Sequence, residues 1–158
     1  MKVYKLFRVK NNKLYPLYVE ANREMPIGVR LDAQVGEKVD ETHVKASGCG
    51  GKLSLRPGFH STDVPFTDWI GKQEADGTLA QRKDTVWAEC EVEGVEQIVT
   101  ERNGLRVLPS DWYYFKTNSK QVRPWIISNN LTIVKVLSRE EVESICESFG
   151  LKAQRMEK

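Results

Sequence analysis

A run of strict alternation between Thr85 and Val92 constrains the fold more than any other part of this sequence. Small or aliphatic side chains alternate there with one aromatic and two acidic ones, in the order Val86, Trp87, Ala88, Glu89, Cys90, Glu91 and Val92. Because successive side chains of a β-strand point to opposite sides of a sheet, the run predicts a strand with one apolar face. Such a face must be covered, so the strand belongs to a sheet with a buried side.

The N-terminal residues predict a hairpin that adds two more strands. Residues 2–9 and 14–19 are both rich in apolar side chains, and Asn11-Asn12 between them is a turn signal. Pro16 cannot donate a backbone hydrogen bond, so the second strand of the hairpin is expected at an edge of the sheet.

Shorter apolar runs predict the remaining strands. One lies near 27–31, and Asn103-Gly104 predicts a hairpin between 96–102 and 105–108. The other candidates are an aromatic strand at 112–116 and two C-terminal strands at 126–127 and 131–137. Together these runs predict a core that is mostly antiparallel β-sheet.

The C-terminal part of the chain predicts a helix near 139–149. Ser138, followed three residues later by Glu141, forms a capping-box pattern. Apolar side chains then recur at helical spacing before Gly150, namely Val142, Ile145, Cys146 and Phe149. The helix is therefore expected to pack this face, including Phe149, on the sheet, which makes the fold class α+β.

The chain is expected to form a single α+β domain over residues 1–151, followed by a polar C-terminal tail, 152–158, that frays. Two polar segments, 32–51 and 72–84, predict exposed loops, because they are rich in turn signals such as Asp76-Gly77.

Composition excludes several classes of protein. The 158 residues are 40% hydrophobic and 29% charged with a formal net charge of +2, as in ordinary soluble domains. No run approaches the roughly 18 apolar residues of a membrane span, and no signal-peptide core is present, so a cytoplasmic location is expected. Cys49, Cys90 and Cys146 are odd in number and far apart, which favours free thiols, and we expect no metal site.

Residues 56–70 are the best candidate for a functional site. Pro57-Gly58 predicts a rigid type II turn. Four different polar side chains follow it, His60, Ser61, Thr62 and Asp63. A short helix is expected near 64–70, capped by Asp63, and rigid placement of varied polar groups suits a site. The alternative interpretation is structural: Thr62 and Asp63 only cap the helix, and His60 only bonds a backbone carbonyl.

Several segments give the chain a resemblance to a known protein family. They are Leu55–His60 (LRPGFH), Val86–Cys90 (VWAEC), Pro124–Ile127 (PWII) and Leu137–Val142 (LSREEV). In these the protein resembles an uncharacterised family that is associated with phages and integrated mobile elements of gut bacteria, over nearly its whole length. The resemblance implies a genomic setting and no particular reaction. Small proteins in that setting are often accessory factors that bind and inhibit proteins of the bacterial host cell, including CRISPR nucleases and other defence systems.

The first functional hypothesis is a non-enzymatic module that binds a host protein. Interface energy concentrates in tryptophan, tyrosine and arginine. The candidate binding residues are Arg56, His60, Thr62, Trp69, Trp112, Tyr113, Arg123 and Trp125. The competing interpretation is that the tryptophans fill the core. Nucleic acid is a partner only if a local basic patch such as Lys116, Lys120 and Arg123 suffices, because the net charge is low, and no membrane partner is expected.

The second hypothesis rests on a resemblance to ADP-ribosyltransferases, which combine an early arginine or histidine, a Ser-Thr pair on a middle strand and a later glutamate. The matching catalytic candidates are Arg8, His60, Ser61 with its neighbour Thr62, and Glu89 or Glu91. The resemblance implies NAD as cofactor, with Arg8 on its pyrophosphate, Ser61 bracing the nicotinamide ribose and a glutamate stabilising the oxocarbenium-like transition state. The sequence departs from the pattern, because its glutamates directly follow the 72–84 segment and not a further loop.

Overall fold

The alternating segments of the sequence assemble into one large antiparallel sheet with a helix against it, and two further short strands form a separate small sheet. The computed structural model describes residues 1–34, 56–68, 70–102, 104–117 and 119–158. Its strands are β1 (Lys2–Lys10), β2 (Lys13–Pro16), β3 (Arg30–Asp32), β4 (Phe59–Thr62), β5 (Lys72–Gln73), β6 (Leu79–Ala80), β7 (Thr85–Glu91), β8 (Trp112–Phe115), β9 (Trp125–Ser128) and β10 (Asn130–Val136), and its helix is α1 (Arg139–Ser148). The strand order is β3-β10-β7-β1-β4-β9-β8, and β2 pairs with the second half of β1. The mostly antiparallel sheet and the C-terminal helix are thus confirmed.

The N-terminal hairpin forms as its sequence predicts. Asn11 and Asn12 have φ angles of 52° and 62°, the left-handed conformation that a two-residue type I′ turn requires. This turn sets the register, with Lys10 opposite Lys13. Along its other edge β1 pairs with β7, so the strand with the strictest alternation lies inside the sheet, between β1 and β10.

The sheet is buried on both faces. The Phe7 face carries a cluster of buried side chains that includes Val3, Phe7, Ala88, Cys90, Ile126 and Ile133. The Trp87 face carries Tyr4, Leu6 and Trp87, and α1 covers it with Val142 and Cys146. Toward β8 and β9 the Trp87 face continues as a smaller cluster of Tyr113, Phe115, Trp125 and Ile127. The predicted alternation of β7 is therefore confirmed.

Helix α1 begins with the predicted capping box. The Ser138 hydroxyl accepts a hydrogen bond from the Glu141 backbone, and the Glu141 carboxylate accepts one from the Ser138 backbone. The expected burial of Phe149 is wrong, because the helix ends at Ser148 and the Phe149 side chain remains 48% exposed. The buried face of the helix therefore ends at Cys146.

The short helix expected near 64–70 does not form in the described residues 63–68 and 70. The Asp63 carboxylate, which was to cap it, instead accepts two hydrogen bonds from the Arg123 guanidinium. The Phe66 N–H donates to the Val64 carbonyl, 2.7 Å away, which closes a tighter turn than a helix has. The Asp63 carboxylate therefore binds Arg123, which is distant in the sequence, and does not cap a helix.

The hairpin expected around Asn103-Gly104 is also absent from the described residues. Residues 96–102 and 105–108 form no strands, although Gly104 has the positive φ of a turn, 72°. The Gln97 N–H instead donates to the Trp112 carbonyl, and Glu96 forms a single parallel bridge with Trp112. The Asn103-Gly104 signal predicted pairing between neighbouring segments, whereas residues 96–97 pair with Trp112 of β8.

Two segments that were expected to be irregular are ordered by pairing. Within 72–84, β5 and β6 form a small hairpin around Gly77. The tail is not frayed, because Gln81 exchanges backbone hydrogen bonds with Arg155 and Glu157. The Arg155 guanidinium also donates to the Asp76 carboxylate at 3.1 and 3.2 Å. The polar side chains of the tail hold it against this hairpin.

Some of the predictions lie outside the described residues. They concern Leu55, Trp69, Cys49 and residues 35–51 of the segment 32–51. Cys90 and Cys146 are buried free thiols, as expected. No described helix is long and apolar enough to cross a membrane.

Candidate functional site

The residues of the transferase hypothesis are spread over the sheet. Arg8 lies opposite Thr85, whereas Glu89 lies opposite Tyr4. Since a strand rises about 3.3 Å per residue, the backbone positions of Arg8 and Glu89 are roughly 13 Å apart along the strands. Thr62 also lies opposite Tyr4, so its neighbour Ser61 projects from the other face of the sheet. The geometry does not bring these three groups together.

Each of these side chains has a structural partner. The Arg8 guanidinium donates to the Ala21 carbonyl at 2.8 Å and lies 5.6 Å over the Tyr15 ring. The buried Ser61 hydroxyl donates to the Ile126 carbonyl at 3.3 Å. Glu89 pairs with Lys2 at 3.7 Å, and Glu91 with the Met1 amino group at 3.3 Å. These contacts hold neighbouring strands and the N terminus together.

His60 takes the structural role that the sequence left open. Its Nε2 atom lies 2.8 Å from the Arg56 carbonyl, and the imidazole must carry a proton there to donate this bond. Burial, together with the positive charge of Lys5, lowers the pKa of His60 to about 3. The ring is therefore neutral at physiological pH and fixes the turn that Pro57-Gly58 begins.

Lys5 is a buried cation that sequence reasoning missed. Its side chain is only 7% exposed, and its Nζ atom donates to the His60 carbonyl at 2.8 Å. β1 and β4 pair only at Tyr4 and Thr62, so the lysine reaches a carbonyl that no β1 amide meets. Burial lowers the pKa of Lys5 to about 8. The sequence feature that could have revealed this buried cation is a lysine between Val3 and Phe7 on an otherwise apolar face of the strand.

Most of the predicted binding residues are part of the core. This group comprises Arg56, Thr62, Trp112, Tyr113 and Trp125, all of them buried, while Trp69 lies outside the described residues. The Trp112 indole donates to the Gly94 carbonyl at 3.3 Å, and the Tyr113 hydroxyl accepts from the Leu105 backbone at 3.1 Å. For these described aromatic residues, the structure agrees with the interpretation that they fill the core.

Arg123 is a predicted binding residue that reaches the surface. Thr62 lies opposite Trp125, so the end of β4 meets the start of β9 and brings Asp63 beside Arg123. The Asp63 carboxylate accepts from Nε at 3.0 Å and from Nη2, and this pairing raises the pKa of Arg123. The guanidinium also lies 5.4 Å over the Phe149 ring. Two contacts thus fix the orientation of a partly exposed arginine.

Exposed apolar side chains lie in the same part of the fold as this arginine. Phe149 is 48% and Tyr114 is 45% exposed, and Val122 precedes Arg123 in the chain with a similar exposure. Residues 116–124 carry Lys116, Lys120 and Arg123 and no acidic residue. We call Tyr114, Val122, Arg123 and Phe149 the Arg123 surface. The sequence did not reveal Tyr114 and Phe149 as members, because periodicity predicted a buried Phe149.

Comparisons with family models, curated proteins and solved structures gave no match. Among the described residues, no group of three or more histidine, cysteine, aspartate or glutamate side chains could hold a metal ion. The Arg123 surface is therefore the candidate functional site.

Proposed function

We propose that this protein acts by binding another protein through the Arg123 surface. The observation that carries the proposal is an arginine held in place by hydrogen bonds to Asp63 and by the exposed ring of Phe149. Arginine and aromatic residues supply most of the energy of protein interfaces. An anchor that is already oriented loses less side-chain entropy when the partner binds.

The charge of the surface favours an acidic partner. Residues 116–124 contribute three basic side chains without an acidic one, and of these Arg123 is ion-paired with Asp63, while the whole chain has a net charge of only +2. Complementary charge accelerates association and selects among partners. The partner is therefore expected to present carboxylates around an apolar contact.

Binding also fits the distribution of the other candidate residues. A catalytic mechanism needs several reactive groups within hydrogen-bond reach of one another. Arg8, Ser61 and Glu89 each bond a different part of the scaffold, on two faces of the sheet. A binding surface requires only a few exposed anchors on a rigid support.

The partner class that we propose is a protein of a bacterial host. It follows from the resemblance of the LRPGFH, VWAEC and PWII segments to proteins of phages and mobile elements. Within that class, a component of a defence system such as a CRISPR nuclease is the form to test first. The protein would then act as an inhibitor that occupies a functional surface of its target.

A paired capture experiment tests the proposal. The wild-type protein and the double variant Arg123→Ala/Phe149→Ala serve as baits in lysate of a gut bacterium, and the retained proteins are compared by quantitative mass spectrometry. We expect at least one protein to be retained by the wild type and depleted roughly tenfold or more with the variant, since two anchors typically contribute more than 1 kcal/mol each. Binding is then repeated with the purified partner.

The double variant Ile27→Ala/Arg30→Ala is the matched control. It also removes an exposed apolar side chain and an ion-paired arginine, at the β3 end of the sheet, far from β8 in the strand order. The control is expected to retain the same proteins as the wild type. If all three baits retain the same set, the Arg123 surface is not the binding site.

A further inference from the structure

We propose that the outer edge of β8 at Tyr114 binds an extended, acidic segment of the partner as an added β-strand. This inference rests on the proposed binding function and specifies how part of the contact is made. It is carried by the directions of the backbone groups, by the side chains at the edge and by the charge of the residues that follow β8.

Two hydrogen bonds fix which backbone groups of β8 point outward. The Asp111 carbonyl accepts from the Asn129 N–H at 2.9 Å, on the side of β9. The next carbonyl, that of Trp112, accepts from the Gln97 N–H at 2.7 Å, on the opposite side. Backbone groups alternate along a strand. Tyr113 and Phe115 therefore pair with β9, whereas the N–H and C=O of Tyr114 point away from it.

In the part of the chain that the structure describes, no strand pairs with this edge of the sheet at Tyr114. β8 is the last strand in the order, with β9 as its neighbour. The bridge from Glu96 reaches only Trp112, and within the described residues no further backbone hydrogen bond joins Tyr114 to residues outside the sheet. An outward N–H and C=O on an edge strand are the groups to which an extended peptide bonds in strand addition.

The side chains at this edge suit an apolar contact. The Tyr114 ring packs edge-to-face on the Trp112 ring, with centroids 5.2 Å apart and an interplanar angle of 86°. This contact holds an exposed aromatic side chain in one orientation. Ile98, which follows Gln97 in the chain, is 78% exposed. An added strand would cover Tyr114 with one of its apolar side chains.

The charge beyond β8 specifies an acidic occupant. Residues 116–124 follow β8 directly and carry Lys116, Lys120 and Arg123 without an acidic residue, and Asp63 offsets the charge of Arg123. A strand that alternates apolar and acidic residues would place its apolar side chains against Tyr114 and its carboxylates near these cations. A basic strand of the same pattern would meet like charge.

Two substitutions at Tyr114 separate the backbone contribution from that of the ring. Tyr114→Pro removes the outward N–H but no bond to β9, and proline is tolerated on edge strands. Tyr114→Val keeps the N–H and the strand propensity and removes only the ring. The probe is a fluorescein-labelled heptapeptide of alternating glutamate and valine, compared with its lysine and valine counterpart by fluorescence anisotropy.

We expect saturable binding of the acidic heptapeptide to the wild type and none of the basic one. Tyr114→Pro should bind roughly tenfold more weakly, since a lost backbone hydrogen bond costs about 1–1.5 kcal/mol. Tyr114→Val should retain the hydrogen bond and lose only the affinity of the ring contact. Equal binding of Tyr114→Pro and the wild type, or no saturable binding of the acidic peptide, would overturn the inference.

Hydrogen exchange of the wild type makes the test independent of how Tyr114→Pro folds. The Tyr114 amide should exchange more slowly when the acidic peptide is present, and an unchanged rate refutes strand addition. The variant Arg123→Ala/Phe149→Ala separates this inference from the proposed function. If that variant loses the captured partner while no peptide binds at Tyr114, the binding function stands and strand addition fails.

Discussion

The contact between Lys5 and His60 links two buried groups whose pKa values both fall below their ordinary range. Lys5 Nζ donates to the His60 carbonyl, and the His60 ring in turn bonds the Arg56 carbonyl. Both pKa values are lowered chiefly by burial, since charge is costly away from water. These residues therefore couple the fold to pH, whichever partner the protein binds.

Lys5 gives a pH dependence with a definite sign. Its pKa is about 8 in the folded chain and 10.5 ordinarily, so the unfolded chain binds more protons between these values and stability rises with pH. From pH 7.5 to 9 this contribution to the unfolding free energy should increase by roughly 1 kcal/mol. Urea unfolding of the wild type and of Lys5→Met at both pH values measures it.

The comparison with Lys5→Met is needed because other groups act in the opposite sense at higher pH. Burial raises the pKa of Cys90 to about 12 and also raises that of Tyr4, so their ionisation favours the unfolded chain. Glu20 opposes the effect of burial on Lys5, because its negative charge acts to raise the pKa of the lysine. If Lys5→Met shows the same pH dependence as the wild type, Lys5 is not the group responsible.

At the scale of single elements, the Pro57-Gly58 turn shows what local sequence can predict. A positive φ was expected at Gly58, and the observed value is 122°. The sequence could not show that this glycine lies against β9, where an added Cβ would be 2.8 Å from the Ser128 carbonyl oxygen. The turn is rigid because a distant strand packs on it.

Gly58→Ala should therefore destabilise the fold more than a glycine substitution in an open turn. Gly77 is the matched control, because it has a φ of 85° and no atom within 4 Å of an added Cβ. Strain at positive φ costs roughly 1–3 kcal/mol at either position, and the contact with β9 adds to it only at Gly58. Equal unfolding free energies for Gly58→Ala and Gly77→Ala, measured in urea, would show that the turn does not pack on β9.

Elements were predicted correctly where the pattern itself contained the information. The alternation of β7, the Asn11-Asn12 turn and the capping box of α1 each involve residues close together in the chain. The prediction was wrong where a residue distant in the sequence formed a hydrogen bond with a group that was expected to bond a neighbour. Arg123 takes the Asp63 carboxylate, and Trp112 takes the Gln97 amide.

At the scale of the whole molecule, burial on both faces of the sheet decides which aromatic residues are available to a partner. Trp112, Tyr113 and Trp125 were candidates by residue type, yet all three lie in strands β8 and β9 with their side chains buried. Arg123 could be predicted as a binding residue from its type. Tyr114 and Phe149 could not, because their exposure depends on where β8 ends the sheet and α1 stops.

We expect a partner to bind at the β8 and β9 end of the sheet, around Arg123. Hydrogen–deuterium exchange of the protein, alone and with its purified captured partner, tests this most directly. We expect slower exchange in residues 112–124 and 145–150, with β3 unchanged. Slower exchange confined to β3 and its neighbour β10, with 112–124 and 145–150 unaffected, would contradict it.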